Sequence, residues 1–143
     1  MLLGLVALLS CNERGSAVPA PRFGDLMTQV GRRFELLGRA ANARRWELAS
    51  FELGELRETF NDVPNAVMPS DVKADLPQLA RGFVPAIEST LEAAFAKRDP
   101  AGVATAFASA AQACNGCHQA AGKPFIEIPL KPGETVPRLD PLP

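Results

Sequence analysis

Apolar residues recur every three or four positions from Arg22 to Ala121, in four blocks separated by prolines, glycines and short polar breaks. That is the period of a helix with one buried stripe, and no convincing alternation of strand type interrupts it. Phe23, Leu26, Met27, Val30, Phe34 and Leu37 predict a first helix over Pro21–Ala41, with proline in its first turn. Trp46, Ala49, Leu53, Leu56 and Phe60 predict a second over Asn42–Phe60, so close behind the first that the two must pack as an antiparallel hairpin. Asn61–Ser70, with Pro64 and Pro69, reads as a loop. Leu76, Leu79, Phe83, Ile87, Leu91 and Phe95 predict a third helix over Val72–Arg98, kinked or briefly broken near Gly82 because Pro85 lies inside it. Asp99-Pro100 is an N-cap and first-turn pair for a fourth helix. Val103, Phe107, Ala110, Cys114 and Cys117 form its stripe, and Gly122 and Pro124 close it. The expected fold is all-α, an antiparallel four-helix bundle over residues 22–121.

The two ends lack this period. Residues 1–11, Met-Leu-Leu-Gly-Leu-Val-Ala-Leu-Leu-Ser-Cys, are too short an apolar run to span a bilayer and suit the core of a secretory signal. Their last four residues resemble a bacterial lipobox, which implies lipidation at Cys11 after cleavage. No Lys or Arg precedes the run, and a start site placed too far downstream explains that. Plain secretion and a buried apolar segment are the alternatives. Residues 12–21, small and polar and then proline-punctuated, read as a linker. Residues 122–143 hold six prolines and no period, and are expected to run extended, anchored by Phe125, Ile126 and Ile128. Those three either cover a cofactor edge or dock the tail on the bundle.

Cys114-Asn115-Gly116-Cys117-His118 is the informative motif. C-x-x-C-H is the attachment sequence of a c-type haem. The thiols add across two vinyl groups as thioethers, and the imidazole binds iron. On a helix the three residues stand at i, i+3 and i+4 and share a face, and the alanines around them leave room for a flat macrocycle. The haem would thus be carried by the last helix. Zinc would need further ligands, and the chain offers only Cys11 as another thiol and no second histidine. A thioredoxin-type pair follows a strand, and a disulfide at this helical spacing is strained. Two cysteines on one covalent haem and one on lipid account for all three.

Four amphipathic helices with this motif on the last resemble the cytochrome c′ and cytochrome c-556 family of four-helix-bundle c-type cytochromes. The resemblance covers residues 22–121, and only the motif is specific. It departs from the family in its long tail and in its lipobox. It implies Cys114, Cys117 and His118 as the haem-binding set, with a residue of the first helix covering the far face of the iron. Met27 is the position that matches, as a second iron ligand. Met68, in the proline-bounded loop, is the other methionine to weigh, and an open or apolar far face is the third arrangement.

Net charge of -1 and a pI near 5.8 exclude a general nucleic-acid binder. Arg32, Arg33, Arg39, Arg44 and Arg45 gather about the first turn, with Glu47, Glu52, Glu55 and Glu58 beyond. These form solvated faces, or an arginine among them pairs with a haem propionate or docks a redox partner. Trp46, in the core stripe, reads as packing. The expected function is one-electron transfer by a mono-haem carrier at the bacterial cell envelope, facing the periplasm on a lipid anchor or soluble there. A homodimer is compatible with it. The alternatives are a five-coordinate NO or CO binder and a haem subunit of a larger redox complex. With its one histidine given to iron and no tyrosine, the chain reads as a carrier and not an enzyme such as a peroxidase.

Overall fold

Where each helix starts and stops follows from a few residues at its ends. A computed structural model describes residues 19–133; the signal segment with Cys11, most of the linker and the tail beyond 133 lie outside them. The helices are α1 (Phe23–Asn42), α2 (Trp46–Asn61), α3 (Leu76–Lys97) and α4 (Pro100–Ala120), with one 3₁₀ turn at Val63–Asn65. Among the described residues the strand-like features reduce to an isolated bridge between Arg22 and Val67. The regular structure of the described residues is all helical.

Two expected boundaries are corrected. The second helix begins at Trp46, not Asn42, because α1 carries its stripe on through Ala40 and Ala41 and then needs Ala43–Arg45 to turn. There Arg45 N–H donates to Ala40 O (2.8 Å) and Arg44 N–H to Ala41 O (2.9 Å), with Arg44 left-handed at φ 58°. This is a Schellman turn with arginine where glycine usually stands. The third helix begins at Leu76, not Val72, because the Asp75 carboxylate caps it, accepting from Gln78 N–H at 2.9 Å, with Pro77 in the first turn. Nor does it break near Gly82. α3 runs through Pro85, which has no N–H for the Arg81 carbonyl. Both residues are exposed, a position in which solvent can satisfy such a carbonyl. Asp99 caps α4 as its sequence predicts, accepting from Ala101 and Gly102 N–H.

The stripes meet in one apolar core. Leu37, Leu56 and Leu91 are almost wholly enclosed; burial of each contributes about 1.5–3 kcal/mol. Phe34 of α1 stacks on Phe107 of α4, ring centroids 4.5 Å apart. α1 packs mainly on α2 and α3 on α4, with α2–α3 and α1–α4 contacts completing the set. Ion pairs join neighbours across these seams. Arg33 forks to Glu52 and Glu55, both at 2.9 Å; Arg57 reaches Glu88 at 3.1 Å and Glu92 at 3.3 Å; Arg98 meets Glu47 at 3.0 Å. Glu52 is buried, so its bond to Arg33 matters more than the exposed pairs do.

Candidate functional site

The last turns of α4 spread the motif over one broad side of the helix, from the core edge to the tail. Cys114 packs on the edge of the core cluster. Gly116 lies beside the Phe83 ring of α3, where an added Cβ would stand 4.0 Å from the ring. Asn115 and His118 turn toward the tail. Cys114, Cys117 and His118 are all half-buried, and the two cysteines carry free thiols. Burial, with a smaller contribution from Cys117, pushes the Cys114 thiol up to about 11, and burial raises Cys117 as well. Such thiols stay protonated at neutral pH, the reverse of the depressed values that activate redox C-x-x-C pairs. Among the described residues no group of three or more His, Cys, Asp or Glu is gathered to hold a bare metal ion. A haem iron asks less, since the porphyrin supplies four nitrogens and the chain one or two axial ligands.

The tail returns along α4. Gly122, left-handed at φ 73°, ends the helix, and Lys123 N–H donates to His118 O at 2.8 Å. The chain then passes the motif. His118 Nδ1 lies 2.8 Å from Ile126 O. A carbonyl only accepts, so Nδ1 carries the hydrogen of this bond, and in the neutral form of the ring the lone pair is at Nε2. Asn115 makes a two-point bond to Ile128: its Nδ2 donates to Ile128 O (2.9 Å) and its Oδ1 accepts from Ile128 N–H (2.7 Å). The expected tail anchors are corrected here. Ile128 packs on the core, whereas Phe125 is 77% exposed and Ile126 44% exposed. Backbone hydrogen bonding holds this stretch where apolar burial was expected to.

A second segment borders the motif. Val67 N–H donates to Pro21 O (2.8 Å) and Val67 O accepts from Phe23 N–H (3.0 Å), fixing the inter-helix loop to the start of α1. Four residues on, Asp71 pairs with Lys123, just past the end of α4. Met68 lies half-buried between these two attachments. Met27, also half-buried, packs from α1 on the same apolar cluster that Cys114 borders. Phe60 of α2 and Phe83 of α3 are partly exposed against that cluster as well.

Two of the arginines about the first turn are engaged with carboxylates of the first two helices. The fork of Arg33 is taken by Glu52 and Glu55, and Arg39 pairs with Glu35. Trp46 packs partly buried on the core, as its stripe position implies. Two surface clefts, one along Trp46, Phe95 and Arg98 and one along Phe60, Pro77 and Pro85, do not include the motif cysteines or His118. Periodicity gave no sign of Asn115 or of the Ile126 and Ile128 backbone. A polar side chain bonding main chain 13 residues away leaves no trace in composition or spacing.

The residues present fit a covalently held haem: two thiols and an imidazole on one helix face, apolar side chains at their border, and a ring nitrogen left bare by the bond its partner makes. Among the described residues no helix is long and apolar enough to cross a membrane. No protein family, curated protein or solved structure matches the chain significantly.

Proposed function

We propose that the chain is a mono-haem c-type cytochrome that transfers single electrons, an antiparallel four-helix bundle of the cytochrome c′ and c-556 kind. His118 carries this reading: it shares a helix face with both cysteines, and with Nδ1–H given to Ile126 O, its Nε2 is the atom left to bind iron. The bundle reading is supported by the order of ion pairs along α2 and α3, where Glu47 meets Arg98 and Arg57 meets Glu88.

The haem supplies a one-electron iron couple at a potential that the axial ligands and their surroundings set. The chain's own residues do the rest. Cys114 and Cys117, one turn apart, hold the macrocycle against loss outside the cell. Phe83 and Ile128 bring apolar surface beside the motif, and Met27 adds to the core cluster that Cys114 borders; together they limit access of water. Met27 would offer the iron a soft thioether as a second protein ligand. The one histidine is committed to iron and the chain has no tyrosine, so a carrier fits better than a catalyst. Lipid on Cys11 tethers the protein to the bacterial envelope, facing the periplasm, where its partners are other redox proteins.

Protein purified from a host that matures c-type cytochromes is expected to keep its colour through acid-acetone extraction and to stain for haem on a denaturing gel. His118→Ala is expected to lose the native spectrum and much thermal stability, because cofactor binding contributes to folding. Pigment that extracts, or zinc in its place, overturns the reading. Mass spectrometry tests the tether separately: a mature terminus at acylated Cys11 supports it, and an unacylated terminus a few residues on leaves a soluble periplasmic carrier.

A further inference from the structure

Asn115 occupies the first variable position of the motif, where covalent attachment makes no demand on residue type. Yet both ends of its amide are engaged: Oδ1 accepts from the N–H of Ile128 and Nδ2 donates to its C=O, at 2.7 and 2.9 Å. A primary amide presents these groups side by side, as the edge of a peptide does. Aspartate cannot donate, and glutamine carries an additional methylene. Three residues along α4, on the same side of the helix, His118 meets the carbonyl of Ile126. Ile126 and Ile128 are alternate residues, which in a stretched chain turn their polar groups to one edge. One helix side thus holds one tail edge at both positions. Other attachments set the path of the tail: Ile126 N–H donates to Lys123 O at 3.0 Å, closing a turn on the end of α4, Ile128 packs on the core, and Pro132 sits over Gly38. The turn holds the N–H side of Ile126, and Asn115 holds the stretch that follows its carbonyl.

We infer that Asn115 is a positioning residue for the axial histidine. By clamping Ile128 it holds the Ile126 carbonyl on His118 Nδ1, which fixes the tautomer and the ring plane and makes Nε2 more electron-rich. A more basic axial imidazole favours ferric over ferrous iron, so the clamp lowers the reduction potential. The effect on iron rests on the haem proposed above, and the effect on the ring on the bonds at Ile126 and Ile128.

The test uses the full-length holoprotein and the variants Asn115→Ala and Asn115→Asp. The second keeps the volume and one bond, and serves if the first fails to fold. Both are expected to keep covalent haem, to raise the reduction potential by up to a tenfold change in the ferric-to-ferrous ratio (about 59 mV for a one-electron couple), and to shift the NMR resonances of the His118 ring. Amide exchange at Ile128 should rise in parallel. Faster exchange with an unchanged potential and unchanged ring resonances would reduce Asn115 to a tail anchor and overturn the inference. Should the protein carry no covalent haem, the function proposed above fails, and the clamp is read without it. The 15N shifts of His118 are then expected to report Nδ1–H in the parent and a tautomer mixture in Asn115→Ala, and identical shifts in the two would overturn it.

Discussion

Met27 and leucine have similar volumes, so Met27→Leu should leave the core packed. If the thioether binds iron, the variant loses the weak near-infrared methionine-to-ferric band, its potential falls, and it binds CO readily. A parent protein that is already high-spin and quick to bind CO would make Met27 packing alone, and the gas-binding alternative would move ahead. Optical spectra of the reduced proteins, with and without CO, decide it. Arg44 offers a test free of haem. Its φ of 58° costs an L-residue about 1–2 kcal/mol, while glycine at that position loses about 0.5–1 kcal/mol of additional chain entropy. Arg44→Gly should therefore gain about 0.5–1 kcal/mol in urea unfolding at unchanged m-value, and a loss would show that the arginine side chain contributes more than its backbone costs.

Three segments distant in sequence converge at Gly38. An added Cβ there would stand 2.3 Å from the Phe107 ring and 2.8 Å from Pro132. Neither neighbour is the loose end of a long side chain, so Gly38→Ala is expected to cost about 1–3 kcal/mol in thermal or denaturant unfolding, with faster exchange in the tail. The existence of four helices was legible because each stripe repeats over several turns, and the start of α4 because Asp99-Pro100 is an unambiguous cap. The start of α3 had a comparable signal in Asp75 and Pro77, but the apolar Val72 and Ala74 ahead of it extended the apparent helix. Pro85 misled in the other direction: its exposed position lets water satisfy what the ring removes, which a sequence does not announce. At the site, the thiols and the imidazole were legible from the motif alone. The hydrogen of His118 Nδ1 was not, since it depends on where a tail without period comes to rest.

For the molecule as a whole, the loop that carries Met68 is held at two points of unlike chemistry. The Val67 end is backbone hydrogen bonding and indifferent to pH. The Asp71 end is an exposed ion pair, in which the hydrogen bond from Lys123 lowers the Asp71 carboxyl below its ordinary value. A lowered carboxyl contributes its stabilisation fully above the ordinary value of 3.8 and loses it as pH falls through the lowered one. Acidification should then release the Asp71 end while the helices persist, seen as a shift of the Met68 methyl resonance in the parent that is absent from Lys123→Ala. A methyl signal that titrates alike in both would break the link between the pair and the loop. The tail obeys a different economy. Its bonds to Asn115 and His118 span only 13 and 8 residues of chain. Loops of that length close in about 10–100 ns and at little entropic cost, whereas the meeting of α1 with α4 must wait on most of the chain. In the order of folding, then, the last helix and its tail form a local unit that can orient the imidazole before the first helix arrives with its methionine.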